Sequence, residues 1–238
     1  MGKYLTWLFA LPSVAATAVL LLKANGQLIL TDEQLVIAIL LTAFKPIADL
    51  VVGTVNEQRE SKRRKRQDMI EVLLRAGLRG LINDHGLVWD KIGINAFVVQ
   101  RHWHRFGNPR LVRVGQVKFS LAHPSGITWT RGKGVIGMCW ATQIDKGRDL
   151  HSDYSRVADW TESLWNQEPD EFKQGLTFQE FNRTKQYGAI VATPIFDPSG
   201  RFVGCISVDA PAGCFEILWS EPARDRLRDV ASTVAHQL

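Results

Sequence analysis

The sequence predicts an α+β protein, an antiparallel sheet flanked by helices, preceded by an N-terminal transmembrane helical hairpin. Three observations carry that expectation. The first residues form an uncharged apolar run, a basic octet follows a second apolar stretch, and two pairs of alternating stretches lie between two amphipathic helical stripes.

The first element is Tyr4 to Leu22, 19 residues without a charge, close to the roughly 20 that cross a bilayer as a helix. Tyr4 and Trp7 stand at its start, as interfacial aromatics do. A cleaved secretory signal is the competing reading, but the run exceeds the usual h-region of roughly 7 to 15 residues and no A-x-A site follows. An uncleaved span is therefore expected. Thr31 and Gln34 then have capping-box spacing and start a second helix.

That second stretch, Gln34 to Val55, carries Lys45, Pro46 and Asp49 near its middle. A lysine at the bilayer centre costs roughly 2.5 to 3.5 kcal/mol on insertion scales, although Lys45 and Asp49, four apart, share a helix face and can pair. The alternatives are a helix lying in the interface or a lysine that snorkels. A two-span hairpin is preferred, with Lys45 and Asp49 facing a neighbouring subunit or a water-filled path. Next come Arg59, Lys62, Arg63, Arg64, Lys65 and Arg66 against the single acid Glu60, a local net charge of +5. Beyond a membrane helix such a cluster marks the cytoplasmic side rather than a nucleic-acid partner. The domain plan is a membrane anchor over 1–56 (helices about 4–22 and 34–55), a basic juxtamembrane linker over 57–68 and a cytosolic domain over 69–238.

That domain opens with a helical stripe: Ile70, Leu73, Leu74, Gly77, Leu78, Leu81 and Ile82, ending before His85-Gly86. Ile94 to Trp103 and Leu111 to Ala122 alternate as strands around the Gly107-Asn108-Pro109 turn. Ala189 to Phe196 and Phe202 to Asp209 form a second pair around Asp197-Pro198-Ser199-Gly200. The Trp-rich middle, Ile144 to Tyr187, reads as loops and short helices, and Leu227, Val230, Ala231, Val234, Ala235 and Leu238 form a closing stripe.

Composition bounds the function. The chain has 238 residues, 45% hydrophobic and 22% charged, which excludes disorder and collagen-like repeats. Cys139, Cys205 and Cys214 make no disulfide framework and no CxxC zinc spacing, pointing to a reducing compartment. The formal net charge of +5 is wholly accounted for by Arg59 to Arg66, so no nucleic-acid partner is expected. His102 and His104 point the same way on a predicted strand, but without a third ligand they read as a polar strand face, and no metal is expected.

RGKGVIGMCWATQ from Arg131 and YGAIVATPIFDPSGRFVGCISVDAP from Tyr187 resemble GAF domains over about residues 69 to 238. Gly132, Gly134 and Gly137 match the glycine-rich entry to a short helix, and Pro194, Gly200, Gly204 and Asp209 match the final hairpin. Read alone, the same glycines suggest a dinucleotide or kinase phosphate loop. No βαβ unit precedes them, however, and no kinase signature follows. The resemblance implies a GAF/PAS-like fold with a small-molecule or chromophore pocket between the sheet and the middle loops, used to sense. The Asn-Lys-x-Asp signature of cyclic-nucleotide-binding members is not found, and Cys139 is followed by Trp140 rather than the histidine of tetrapyrrole-binding members. A catalytic subset, the free methionine sulfoxide reductases, uses cysteines near the GKG helix, where Cys139 lies.

The expected pocket lining is Trp129, Arg131, Cys139, Trp140, Asp149, Tyr154 and Asp209. Each has a plainer reading: the tryptophans as core, Asp209 as a turn cap, Arg131 as solvated. No catalytic constellation is found and the cofactor is unknown. The leading expectation is a membrane-anchored sensory or regulatory protein at the inner membrane, its soluble domain in the cytoplasm, binding a small molecule such as a nucleotide and forming homo-oligomers. The alternatives are a ligand-triggered membrane-permeabilising effector of a bacterial defence system and a thiol-dependent GAF-type methionine sulfoxide reductase.

Overall fold

The computed structural model describes residues 14–26, 31–88, 91–100, 108–118, 125–157, 160–184 and 187–238; the side chains of 41, 43–48 and 156–157 lie outside it. The chain divides into two compact units, Met1–Arg64 and Lys65–Leu238.

Residues 14–24 form helix α1 and Asp32–His85 form helix α2. The Thr31 capping box is made in both directions: the Gln34 amide donates to Thr31 Oγ1 at 3.4 Å and the Thr31 amide donates to Gln34 Oε1 at 3.2 Å. At the other end Gly86 takes φ +65°, and the Leu87 amide donates to the Ile82 carbonyl at 3.2 Å. This is the Schellman closure that a glycine permits. Between these ends the expected linker over 57–68 is helical. Residues 54–76 contain no Gly or Pro and are rich in Glu, Gln, Lys and Arg, strong helix formers, so nothing local stops the helix.

Among the described residues no helix is long and apolar enough to cross a membrane, so the expected transmembrane hairpin is not supported. Lys45 and Asp49 interrupt the apolar part of α2, and its remainder is strongly charged. Much of the first expected span lies outside the described residues.

Among the described residues six strands follow in the second unit: β1 Gly93–Gln100, β2 Arg110–Lys118, β3 Trp129–Thr130, β4 Lys146–Asp149, β5 Ala189–Phe196 and β6 Phe202–Ala210. They form one sheet in the order β3-β2-β1-β6-β5-β4 with every neighbouring pair antiparallel. An antiparallel sheet with flanking helices fits the GAF-like α+β fold expected from the sequence. The short strands β3 and β4 lie outside the four stretches that alternate clearly in sequence.

Alternation sorts side chains to two faces. Ile94, Val191, Ile206 and Val208 pack with Ile70, Leu74, Leu78 and Leu81 of α2 and with Leu227, Val230 and Val234 of α9 (Glu221–Ala235). Gly77 is required here, because a Cβ would strike Val230. Phe97, Leu111, Ala192 and Cys205 turn to the opposite face, which α3 (Gly134–Thr142), α4 (Leu150–Val157), α5 (Glu162–Gln167), α6 (Asp170–Lys173) and α7 (Phe178–Arg183) help to cover. One further short helix, α8, spans Phe215–Trp219.

The register between β1 and β2 shifts once. Ala96 lies opposite Gly115 and Phe97 opposite Arg113, so Val114 is the extra residue of a β-bulge. Gly115 then faces Ile70, whose Cγ2 would lie 2.6 Å from an added Cβ.

Candidate functional site

The face covered by α3 holds a small cavity of about 30 Å³. Its polar lining includes Asn95, Arg113, Gln116, Lys118 and Asp209 from the middle of the sheet and Tyr187 from a loop, with Ser125 and Ser207 beside them. Phe97, Trp129, Ile136 and Ile190 form apolar walls. Strand alternation explains the mixture. Asn95 stands between Ile94 and Ala96, and Ser207 and Asp209 alternate with Ile206 and Val208, whose side chains enter the opposite core.

These groups form two linked sets. Asn95 donates its side-chain amide to Asp209 Oδ1 at 2.7 Å, and Lys118 Nζ lies 3.8 Å from Asp209 Oδ2. Lys118 also donates to the Tyr187 hydroxyl at 3.4 Å and sits 5.0 Å from that ring's centroid. In the other set, Arg113 Nη1 donates to Gln116 Oε1 at 2.5 Å, and the guanidinium lies 5.7 Å from the Phe97 centroid. Among the described residues the buried Arg113 Nε has no hydrogen-bond partner.

Burial raises the Asp209 carboxyl above its ordinary value, with Lys118, Asn95 and Arg113 pulling the other way. Burial also pushes the Tyr187 hydroxyl up to about 12, and the nearby Asp209 charge adds to this. Tyr187 is thus a neutral phenol near pH 7, able to donate and accept. The arrangement suits holding a small polar molecule by charge and hydrogen bonds.

The seven residues expected to line one pocket separate in the structure. Trp129 and Asp209 meet at the cavity. Arg131 and Trp140 line a different, open hollow with Phe202 and Arg201, where Trp140 and Phe202 stack with centroids 6.3 Å apart. Asp149 ends β4 and caps α4, accepting the His151 and Ser152 amides at 3.1 and 3.3 Å; the Ser152 hydroxyl, donating at 2.5 Å, leads in holding its carboxyl below the ordinary value. Tyr154 packs on Phe181 with centroids 4.6 Å apart and donates its hydroxyl to the Phe181 carbonyl.

Cys139 lies on the helix that covers the cavity but turns into the core against Cys205; both are fully buried. Burial, and then the neighbouring Cys139 thiol, push the Cys205 thiol well up, which suppresses the thiolate that redox chemistry uses. Asn95, Arg113, Gln116, Lys118 and Tyr187 were not among the expected residues. Gln116 and Lys118 show a sequence signal, polar side chains alternating about Val117, whereas Arg113 is out of that alternation and Tyr187 lies in a loop.

The glycines of Arg131-Gly132-Lys133-Gly134 serve packing. The amides of Gly132, Lys133 and Gly134 donate to the carbonyls of Gly137, Thr130 and Gln174 at 2.7, 3.1 and 2.7 Å, which leaves them unavailable to a phosphate. A Cβ on Gly134 would lie 2.7 Å from Trp129, and one on Gly137 would strike the Thr130 carbonyl oxygen. Lys133 reaches away to Glu180, donating at 2.6 Å.

Of the residues expected to act at a membrane, Asp49 is exposed on α2 and the side chain of Lys45 lies outside the described residues. Arg59, Lys62, Arg63, Arg64, Lys65 and Arg66 are all exposed along α2, with Arg64 3.9 Å from Glu60. His102 and His104 lie outside the described residues.

No protein-family model matches the chain, and no curated protein does. Solved structures do. The GAF domain region of a protein from Geobacter sulfurreducens PCA is similar at 14% identity and TM-score 0.48, covering 76% of this chain and 97% of that one. The type II free methionine-R-sulfoxide reductase of Thermoplasma acidophilum is similar at 12% identity and TM-score 0.44, covering 72% of this chain and 94% of that one. The GAF domain of an Acinetobacter phosphoenolpyruvate-protein phosphotransferase is similar at 8% identity and TM-score 0.44, covering 76% of this chain and 92% of that one.

Proposed function

We propose that residues 65–238 form a small-ligand-binding sensory domain whose ligand occupies the cavity at Asp209. The observation that carries this reading is the set Asn95, Asp209 and Lys118 on the covered face of the sheet, with Asn95 only 6% exposed. Ionisable groups in such a place cost folding free energy that an apolar core would not, and perturbed carboxyls in a cavity mark sites that bind.

The N-terminal segment is read as a membrane-associating element at the inner face of the cytoplasmic membrane. Val36, Ile37, Ile39, Leu40 and Leu50 of α2 are all more than half exposed and share one broad face of the helix, which calls for lipid or a second copy of the chain. The basic residues that follow would then lie at the anionic headgroups. The ligand-dependent change is read out through the part of α2 from Ile70 to Ile82 that packs on the sheet.

Native mass spectrometry of the full chain released from detergent tests the first element. A retained small molecule that is lost in Asp209→Leu supports it, whereas an empty chain with no saturable response to a metabolite panel overturns it. Flotation with anionic and neutral vesicles tests the second, and failure to float with either removes the membrane role.

A further inference from the structure

We propose that the molecule held in this cavity is a small carboxylic acid, its carboxylate received by Arg113. The inference rests on the ligand-binding reading above and names the chemical class that the site takes.

The bulge at Val114 is the starting point. In an uninterrupted strand, residues three apart face opposite sides of the sheet. The extra residue instead brings Arg113, Gln116 and Lys118 to one cavity, while Val114 packs with the opposite core. Bulges re-aim side chains in this way beside binding sites.

The cations there are unequally served. Lys118 has Asp209, and Asp209 is also held by Asn95. Among the described residues Arg113 donates to the neutral Gln116 side-chain carbonyl, and its Nε is buried without an acceptor. A guanidinium offers adjacent N–H groups in a planar fork that matches two carboxylate oxygens, and charge-assisted bonds of this type are the stronger ones. Among the described residues two basic side chains face one carboxylate in the cavity, which leaves it short of negative charge.

Size sets the class further. About 30 Å³ is room for about two waters, so the enclosed part of the ligand is a compact polar head with the remainder outside it. Phe97 and Trp129 beside it suit a short alkyl remainder.

The test is thermal unfolding of the full chain in detergent with sodium acetate, propionate and butyrate, against propionamide, propylammonium chloride and sodium phosphate at equal ionic strength. A saturable upward shift with a carboxylate alone is expected. It should vanish in Arg113→Gln, and in Arg113→Lys, which keeps the charge but loses the fork, half-saturation should weaken roughly tenfold. A saturable response to the amide, the ammonium or phosphate and none to a carboxylate overturns the carboxylate class while leaving a ligand site. An undiminished carboxylate response in the folded Arg113→Lys protein overturns the role of Arg113. No saturable response to any of the six probes overturns the proposal, and the ligand-binding reading falls with it only if native mass spectrometry also finds the chain empty.

Discussion

Asn95 and Asp209 are bonded at 2.7 Å although they do not face each other across their strands: Asp209 lies opposite Gly93, and Asn95 opposite Ser207. The bond runs diagonally, and Gly93 leaves space for it, since a Cβ there would lie 2.7 Å from Asp209 Oδ2. Asp209→Leu should therefore leave the Asn95 amide unaccepted and Lys118 without its carboxylate. A loss of about 2–4 kcal/mol is expected by urea unfolding, while Asp209→Asn, which keeps an acceptor, should cost under about 1 kcal/mol. Equal losses in the two variants would show that the diagonal bond is not what matters.

Gly204 and Gly115 should respond differently to alanine. A Cβ on Gly204 would strike the Phe97 carbonyl oxygen, part of the backbone of the paired strand, whereas one on Gly115 would meet the end of the Ile70 side chain. Gly204→Ala is expected to exceed about 3 kcal/mol of destabilisation and Gly115→Ala to fall within about 1–3, read from chemical denaturation midpoints.

The three thiols differ in access. Cys139 and Cys205 are fully buried and Cys214 is partly exposed. In the folded protein at pH 8, an aromatic disulfide reagent should titrate Cys214 alone on the minute timescale, and all three in denaturant. Rapid reaction of three thiols in the native protein would contradict the packing of α3 on β6.

Alkali should weaken the fold through Tyr154. Burial pushes its hydroxyl from 10 up to about 12. Between those values the unfolded chain has lost the proton that the folded chain keeps, so stability is full below pH 10 and falls as pH rises through that window. Replacement by phenylalanine removes this dependence. The stability gap between wild type and Tyr154→Phe should narrow from pH 9 to pH 12, and a constant gap would count against the burial of the hydroxyl.

Legibility in the sequence follows the range of the interactions. The strands Ala189–Phe196 and Phe202–Ala210 and the stripe through Ile70, Leu74 and Leu78 are visible because alternation and three-and-four spacing are local. Trp129–Thr130 is too short to show a period, and it exists as a strand because Leu111 and Arg110 offer it an edge. The continuity of α2 over 57–68 is likewise local, since that stretch holds no Gly or Pro and the octet's charge does not break a helix. Among the candidate ligand residues, Trp129 and Asp209 share the cavity, while Arg131 and Trp140, adjacent to Trp129 in sequence or motif, open onto another hollow. Neighbourhood along the chain is a poor guide because α3 packs Cys139 against Cys205 and sends the next residue, the buried Trp140, to Phe202 instead.

The sequence by itself determined the α+β class, the two helical stripes, the four long strands and the capping residues Thr31 and Gly86, since each depends on residues within a turn or two of one another. Tertiary structure decided the site. Arg113 and Lys118 from β2 reach Asn95 of β1 and Asp209 of β6 only through non-local strand pairing. The single extra residue at Val114, legible only once the register is known, brings the arginine to the same side as Gln116 and Lys118.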